Sequence, residues 1–191
     1  VQPRVSRLDP DADGGVARLI EQAPLLRQAI DRPRIVIVGG GEHFEHFREL
    51  AERLNRQAGE PYILLTGPRS DIARFCNACD VFFGVSRAAL EAASCARPVV
   101  LAGTSGYLGP LDESTLAAAR ETNLTCRGHD WPQQPCLAQD VTHLLEKGDG
   151  SFGREMVLRE YSAERMADDA LRCYRAALLC QKSARYDFLL S

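Results

Sequence analysis

The sequence predicts an α/β fold: a parallel sheet with helices on both faces, three layers in all. Three observations carry this. Short runs such as Ile35–Val38, Val81–Phe83 and Val99–Ala102 are continuously apolar, the pattern of strands buried on both faces. Stretches of helical spacing alternate with them, so neighbouring strands must be joined by right-handed crossovers. Glycine follows several of these runs, at Gly39, Gly67, Gly84 and Gly103. The loops so marked share the carboxyl edge of the sheet, where open α/β sheets bind ligands. The expected class is therefore Rossmann-like.

The elements follow in order. Residues 1–15 are polar, with Pro and Gly, and read as a linker. Within it Asp9, Asp11, Asp13 and Gly14 imitate the first half of a calcium loop. The twelfth position is Ile20, with Glu21 one place late, so a solvated acidic linker is expected there. An amphipathic helix follows over 16–31, interrupted near Pro24. A strand over Arg34–Val38, a turn at Gly39–Gly41 and a helix over 42–57 come next. Strands at Tyr62–Thr66, Val81–Phe83 and Val99–Ala102 alternate with helices over 70–79 and 86–96. A glycine-rich loop is expected at 103–110, a helix near 112–120 and a strand at Asn123–Cys126. A Pro-rich loop then leads to a helix near 137–147 and long helical spacing through 153–182. Ala184–Ser191 changes to an apolar strand-like pattern.

Composition narrows the function classes. At 191 residues, 45% hydrophobic and 26% charged, the chain has the make-up of one ordinary globular domain with a real core. A net charge of −3 argues against a nucleic-acid scaffold or a polybasic membrane anchor. No apolar run approaches membrane-spanning length, and no secretory leader opens the chain. Val1 stands where an initiating Met would, inside the linker, so a piece of a longer protein is expected. The seven Cys are odd in number and irregularly spaced, as reduced cytosolic thiols acting as small hydrophobes would be. Cys76-Asn77-Ala78-Cys79 has the spacing of half a zinc site, but no second Cys pair follows to complete four ligands.

The segment 82–93 carries most of the functional information. An apolar run stops at Gly84, and helical spacing begins with Ser86 and Arg87. A helix opening there presents free backbone N–H groups, a positive dipole end and a guanidinium, which together suit an anion. One turn on, Glu91 can accept hydrogen bonds from paired hydroxyls such as those of a ribose. Phosphate donors followed by a hydroxyl acceptor describe a site for a nucleotide diphosphate. The plainer alternative is Ser86 as a helix cap and Glu91 as a solvated helix residue.

Gly39, Gly40 and Gly41 also follow a strand and open a helix, so a backbone can approach a phosphate or sugar there. They do not make a dinucleotide fingerprint. Phe44 stands where the third glycine would, and Leu65-Thr66-Gly67 lacks the acid that holds an adenosine ribose. No GxxxxGK[ST] motif is present, which excludes a P-loop.

Several segments occur in a characteristic order: Ile35–Gly41, Gly67-Pro68-Arg69-Ser70-Asp71, and 86–103 (SRAALEAASCARPVVLAG). Gly106-Tyr107-Leu108-Gly109, Thr122-Asn123 and Tyr161–Met166 go with them. Together they resemble the C-terminal, donor-binding half of GT-B glycosyltransferases of the group 1, family 4-like kind, over essentially residues 1–182. Val1–Val5 resembles the connector with which that half begins. The resemblance implies 1–15 as interdomain linker, 16–182 as a nucleotide-sugar-binding domain, and 183–191 as tail or the start of a following domain. It implies that the amides after Gly84, with Ser86 and Arg87, bind the diphosphate, and that Glu91 holds the ribose. The loop with Pro68 and Arg69 would lie by the base. From their place after the strands, the Gly39–Gly41 turn is expected to join the diphosphate site, and the loop with Gly106 and Tyr107 to border the donor sugar.

Two departures stand out. Eight positions before Glu91 the family often has a second Glu, and here it is Phe83; an Arg/Lys pair before the first glycine loop is also absent. No catalytic residue is identified, and neither a cofactor nor a metal is expected beyond the nucleotide-sugar donor. The partners implied are that nucleotide sugar and an N-terminal acceptor domain, with no nucleic acid. The end, Ala184–Ser191, resembles the start of polysaccharide pyruvyl transferase domains, which would place a second domain after this one. The function so implied is the donor half of a glycosyltransferase of bacterial cell-envelope polysaccharide synthesis. Its place would be the cytoplasm or the inner face of the membrane. Two alternatives stay open: half of a UDP-sugar 2-epimerase, or a non-catalytic nucleotide-binding or assembly module.

Overall fold

The computed structural model of the chain describes residues 2–5, 8, 9, 13–134 and 136–189. The chain divides into two units, Val1–Arg154 and Glu155–Ser191. In chain order the elements begin β1 (Gln2–Val5), α1 (Gly14–Ala29), β2 (Ile35–Val38), α2 (Phe44–Ala58), β3 (Ile63–Leu65) and α3 (Ile72–Ala78). They continue β4 (Phe82–Gly84), α4 (Ser86–Ser94), β5 (Val99–Gly103), β6 (Gly106–Pro110), α5 (Leu116–Glu121) and α6 (Leu137–Lys147). Two further helices follow, α7 (Ser151–Glu160) and α8 (Ala163–Leu189).

In the first unit β1, β2 and β3 pair in parallel, and so do β4 and β5. The strands pair as two three-stranded sheets, β1-β2-β3 and β4-β5-β6, and because β1 lies alongside β4 the order across both is β3-β2-β1-β4-β5-β6. The chain thus winds outward from β1, returns, and winds the other way. The junction of β1 and β4 is the switch point at which α/β sheets open a crevice for ligands.

Every residue of β2, β4 and β5 is buried, as two covered faces require. Side chains alternate along a strand, and the burial follows that alternation. Ile35, Ile37, Phe83, Val100 and Ala102 share one core with Val16, Leu19 and Ala23 of α1, Phe47 and Ala51 of α2, and Leu137 and Val141 of α6. Val36, Val38, Phe82, Val99 and Leu101, the intervening residues, are buried as well and point to the other face. Ala89, Ala92 and Ala93 bury the small-residue face of α4, which packs with α3. Asn55 ties α2 to the sheet. Its Oδ1 accepts the N–H groups of Tyr62 (3.0 Å) and Ile63 (2.9 Å), and its Nδ2 donates to the Ile63 carbonyl at 2.8 Å.

Five expectations are corrected. Gln2–Val5, read as linker, is a strand with Gln2 opposite Ile35 and Val5 opposite Val38. Val1, Ser6, Arg7 and 10–12, Asp11 among them, lie outside the described residues. The first helix starts at Gly14 and passes Pro24 without interruption. Burial of Ile20, Ala23 and Leu26 on either side outweighs a mid-helix proline's cost of about 3 kcal/mol. The glycine-rich stretch after β5 is a strand, β6, antiparallel to β5, so the sheet is mixed rather than wholly parallel. Asn123–Cys126 is not a strand. Asn123, Leu124 and Cys126 have φ of 51°, 57° and 61°, and β6 already occupies the edge of β5 that a further strand would need. Finally, the chain stays helical from Ala163 to Leu189 where a strand pattern was expected; Leu190 and Ser191 lie outside the described residues.

In the second unit Ser162 Oγ accepts the Arg165 N–H at 3.2 Å, capping α8. Arg165 Nε pairs with Asp169 Oδ2 at 2.9 Å. Leu171, Tyr174 and Leu178 are exposed along this helix. Among the described residues no helix is long and apolar enough to cross a membrane.

Candidate functional site

The parallel strands place the loops after β2, β3 and β4 at one carboxyl edge, and the β4–α4 junction there offers donors to an anion. Gly84 is required locally, since a Cβ there would lie 2.8 Å from Cε1 of the Phe82 ring. Val85 is extended, and Ser86, the first residue of α4, has φ 53°, a left-handed backbone that costs a non-glycine residue on the order of 1–3 kcal/mol. That turn spends the Ser86 N–H on the Leu124 carbonyl at 2.8 Å. Among the described residues the N–H groups of Arg87 and Ala88 make no hydrogen bond. Two donors therefore point out of the positive end of α4. Arg87 and Glu91 face each other one turn in, with Nε 3.0 Å from Oε1. Ser86, Arg87 and Glu91 thus come together at the start of α4, and the Ser86 amide is already used.

Gly39–Gly41 lies on the same edge, where one of its own three N–H donors, that of Gly39, and the two N–H groups that follow the turn are taken. The Gly39 N–H donates to the Gly67 carbonyl at 3.0 Å, the Glu42 N–H to Asp9 Oδ1 at 3.2 Å and the His43 N–H to the Leu8 carbonyl at 2.8 Å. The glycines serve close packing of chain on chain. A Cβ on Gly41 would lie 2.5 Å from Asp9 Oδ1, and one on Gly40 would lie 2.8 Å from Pro68 Cγ. Among the described residues the Gly40 and Gly41 N–H groups make no hydrogen bond, and Pro68 packs on Gly40 at the seam of two loops. Arg69 is fixed as well. It forms a bidentate pair with Asp71 (2.8 and 2.9 Å), and its guanidinium lies 5.5 Å from the Phe75 ring centre. The Arg69 hydrogen bond holds the Asp71 carboxyl below its ordinary range.

Gly106 and Tyr107 differ from expectation more sharply. Gly106 has φ 151°, and a Cβ there would fall 2.0 Å from the His129 carbonyl oxygen. Tyr107 is buried, its ring 4.8 Å from that of Trp131, and its hydroxyl donates to Asp140 of α6. Burial, then that bond, pushes the Tyr107 hydroxyl well above its usual range. The Tyr107 side chain is therefore engaged inside the unit rather than presented at its edge.

Two features at this edge were not legible beforehand. The segment 123–131, with Gly128 also at positive φ, crosses from α4 to the β5–β6 hairpin. It is fixed by the Ser86–Leu124 bond, by the Tyr107 N–H on the His129 carbonyl (2.8 Å) and by Trp131 Nε1 on the Gly103 carbonyl (2.9 Å). Asp13 and His43, before α1 and α2, form the second: Nδ1 and Oδ2 are 2.6 Å apart. No local spacing signals a pair so distant in the chain.

Of the Cys76–Cys79 motif, the Cys79 thiol donates to the Cys76 carbonyl at 3.1 Å, and both residues are buried. Burial raises the Cys76 thiol to about 11 and the Cys79 thiol to about 12, so both stay protonated and unreactive near neutral pH. No group of three or more His, Cys, Asp or Glu placed to hold a metal ion occurs among the described residues.

Comparison with known proteins agrees with this architecture. No curated protein sequence matches the chain. Among solved structures, HepE from Anabaena, in complex with UDP and glucose, superposes with a TM-score of 0.61 at 19% identity. The match covers 92% of this chain and 48% of HepE. A TarM variant from S. aureus, in complex with fondaparinux, alpha-GlcNAc-glycerol and UDP, gives 0.58 at 17% identity over 90% of this chain and 34% of its own. The C-terminal domain of LpcC, a group 1 glycosyl transferase protein from Francisella tularensis, gives 0.54 at 18% identity, covering 85% of this chain and 86% of that domain. The chain thus spans about half of HepE and a third of TarM. The sequence profile described as glycosyl transferases group 1 matches residues 4–147, well over half of the chain, and the chain belongs to that family.

Proposed function

We propose that this chain is the donor-binding half of a glycosyltransferase and holds a nucleotide-diphosphate sugar at the carboxyl edge of its sheet. One observation carries the proposal: Arg87 and Ala88 leave two backbone donors unpaired at the positive end of α4, beside the Arg87 guanidinium and one turn from the Glu91 carboxylate. Amides and guanidinium suit the diphosphate, and the carboxylate suits paired ribose hydroxyls. The complexes of HepE and TarM with UDP make uridine the first base to try.

Transfer requires donor and acceptor in near-attack geometry, which supplies much of the rate. The share of HepE that this chain matches suggests that a second, acceptor-binding domain belongs to the working enzyme. The role in cell-envelope polysaccharide synthesis, and a pyruvyl transferase domain after Ser191, rest on sequence resemblance.

Saturation-transfer NMR of the 191-residue chain with UDP-, GDP- and CMP-sugars tests the proposal. Diphosphate donors should bind with micromolar to millimolar affinity, roughly 4–8 kcal/mol, without turnover. Failure of every nucleotide sugar to bind would leave a decayed module, and multiple-turnover transfer by this chain alone would refute the half-enzyme reading.

A further inference from the structure

His43 and Asp13 meet at the ligand edge, and the donor site described above makes no use of them. Asp13 Oδ2 lies 2.6 Å from His43 Nδ1, with the Asp13 side chain 17% exposed and that of His43 38% exposed. An ionised carboxylate only accepts, so Nδ1 carries the proton, and Nε2 is left for another partner. Nε2 has none among the described residues. The position is central. Gly14, next to Asp13, lies so close to the β5–β6 tip that a Cβ on it would be 3.1 Å from Thr104 Cγ2. The His43 N–H is bonded to Leu8 in the loop after β1. The imidazole thus stands where α1 and α2 both begin, above the strand that flanks the switch point, and two helix starts favour an anion.

We propose that His43 is a further donor-binding residue, its Nε2 meeting a phosphate oxygen of the nucleotide-diphosphate sugar while Asp13 fixes the ring. This rests on the donor-site reading. Among the described residues the ionisable groups around the ring are Asp9 and Asp13 from the segment between β1 and α1, and Glu42 and His46 from the start of α2. Asp9 is already bonded to the Glu42 N–H, and the His46 ring stands edge-on at 6.4 Å. Asp13 therefore orients the ring, and the phosphate stabilises its cationic form.

UDP-glucose is the probe. His43→Asn keeps an N–H for Asp13 and loses Nε2. In calorimetry on the 191-residue chain it should bind about tenfold more weakly than the wild type, and His43→Gln should recover part of the loss. Nitrogen NMR of the wild-type imidazole, which needs no variant to fold, should show the Nε2 resonance shifting when UDP-glucose saturates the site. Equal affinity in His43→Asn, or an unmoved Nε2 resonance, would overturn this role and leave the α4 donor site standing. No binding of UDP-glucose by the wild type would overturn both.

Discussion

Arg87 Nε and Glu91 Oε1 lie 3.0 Å apart on successive turns of α4, which couples the cation assigned to the diphosphate with the carboxylate assigned to the ribose. The Arg87 side chain is 91% exposed, and an ion pair of that kind contributes at most about 1 kcal/mol. Glu91 is therefore held in place at little cost to its availability.

Replacing Glu91 by Gln should then separate binding from folding. Affinity for a nucleotide-diphosphate sugar should fall about tenfold to a hundredfold, the loss of a charge-assisted hydrogen bond of roughly 1.5–3 kcal/mol. The melting temperature should hardly move. Calorimetric titration beside a thermal melt checks both, and a large drop in melting temperature with unchanged affinity would make Glu91 structural.

Two glycines at positive φ should respond differently to alanine. At Gly106 a Cβ would meet backbone carbonyl oxygens at 2.0 and 2.4 Å, whereas at Gly59, φ 75°, it would meet nothing within 4 Å. Gly59→Ala should cost about 1 kcal/mol from backbone conformation alone. Gly106→Ala must also displace the 126–129 turn and should cost more than about 2 kcal/mol. Urea denaturation of the two variants gives the comparison, and equal losses would show that the turn moves aside freely.

Tyr107→Phe should weaken the fold and spare the ligand. It removes the hydroxyl that donates to Asp140, a bond to a charged group worth about 1.5–3 kcal/mol. The ring packing against Trp131 is kept. Unchanged affinity for UDP-glucose is expected from the same titration, and a tenfold loss would return the β5–β6 hairpin to the donor site.

Buried thiols set an alkaline limit. Burial raises Cys76 and Cys126 from 9.0 to about 11 and Cys79 to about 12. Between those values the folded chain keeps protons that the unfolded chain releases, so the stability these thiols contribute is whole below about pH 9 and is lost as pH rises toward about 12. The urea midpoint should fall across that window. In native protein at about pH 8, iodoacetamide should modify the exposed Cys173 and leave Cys76, Cys79 and Cys126 intact until unfolding.

Local chemistry was enough to read the strand–helix alternation, the parallel pairing of the inner strands and the Gly84–Ser86 junction. Each depends on periodicity or on a residue type within a few positions, as in the apolar run Ile35–Val38 and the helical spacing of Leu90 and Ala93. Pairing across the chain settled the rest. Gln2–Val5 is a strand because β2 lies beside it, and Gly106–Pro110 is one because β5 offers an edge. The Gly39 N–H goes to Gly67 because the loop after β3 lies beside it, and Tyr107 turns inward because Asp140 waits on α6. His43 meets Asp13 only once two crossovers bring the starts of α1 and α2 to one edge. Hydrogen-bond donors are a shared and limited supply, and the partner that claims each one is chosen by the folded chain.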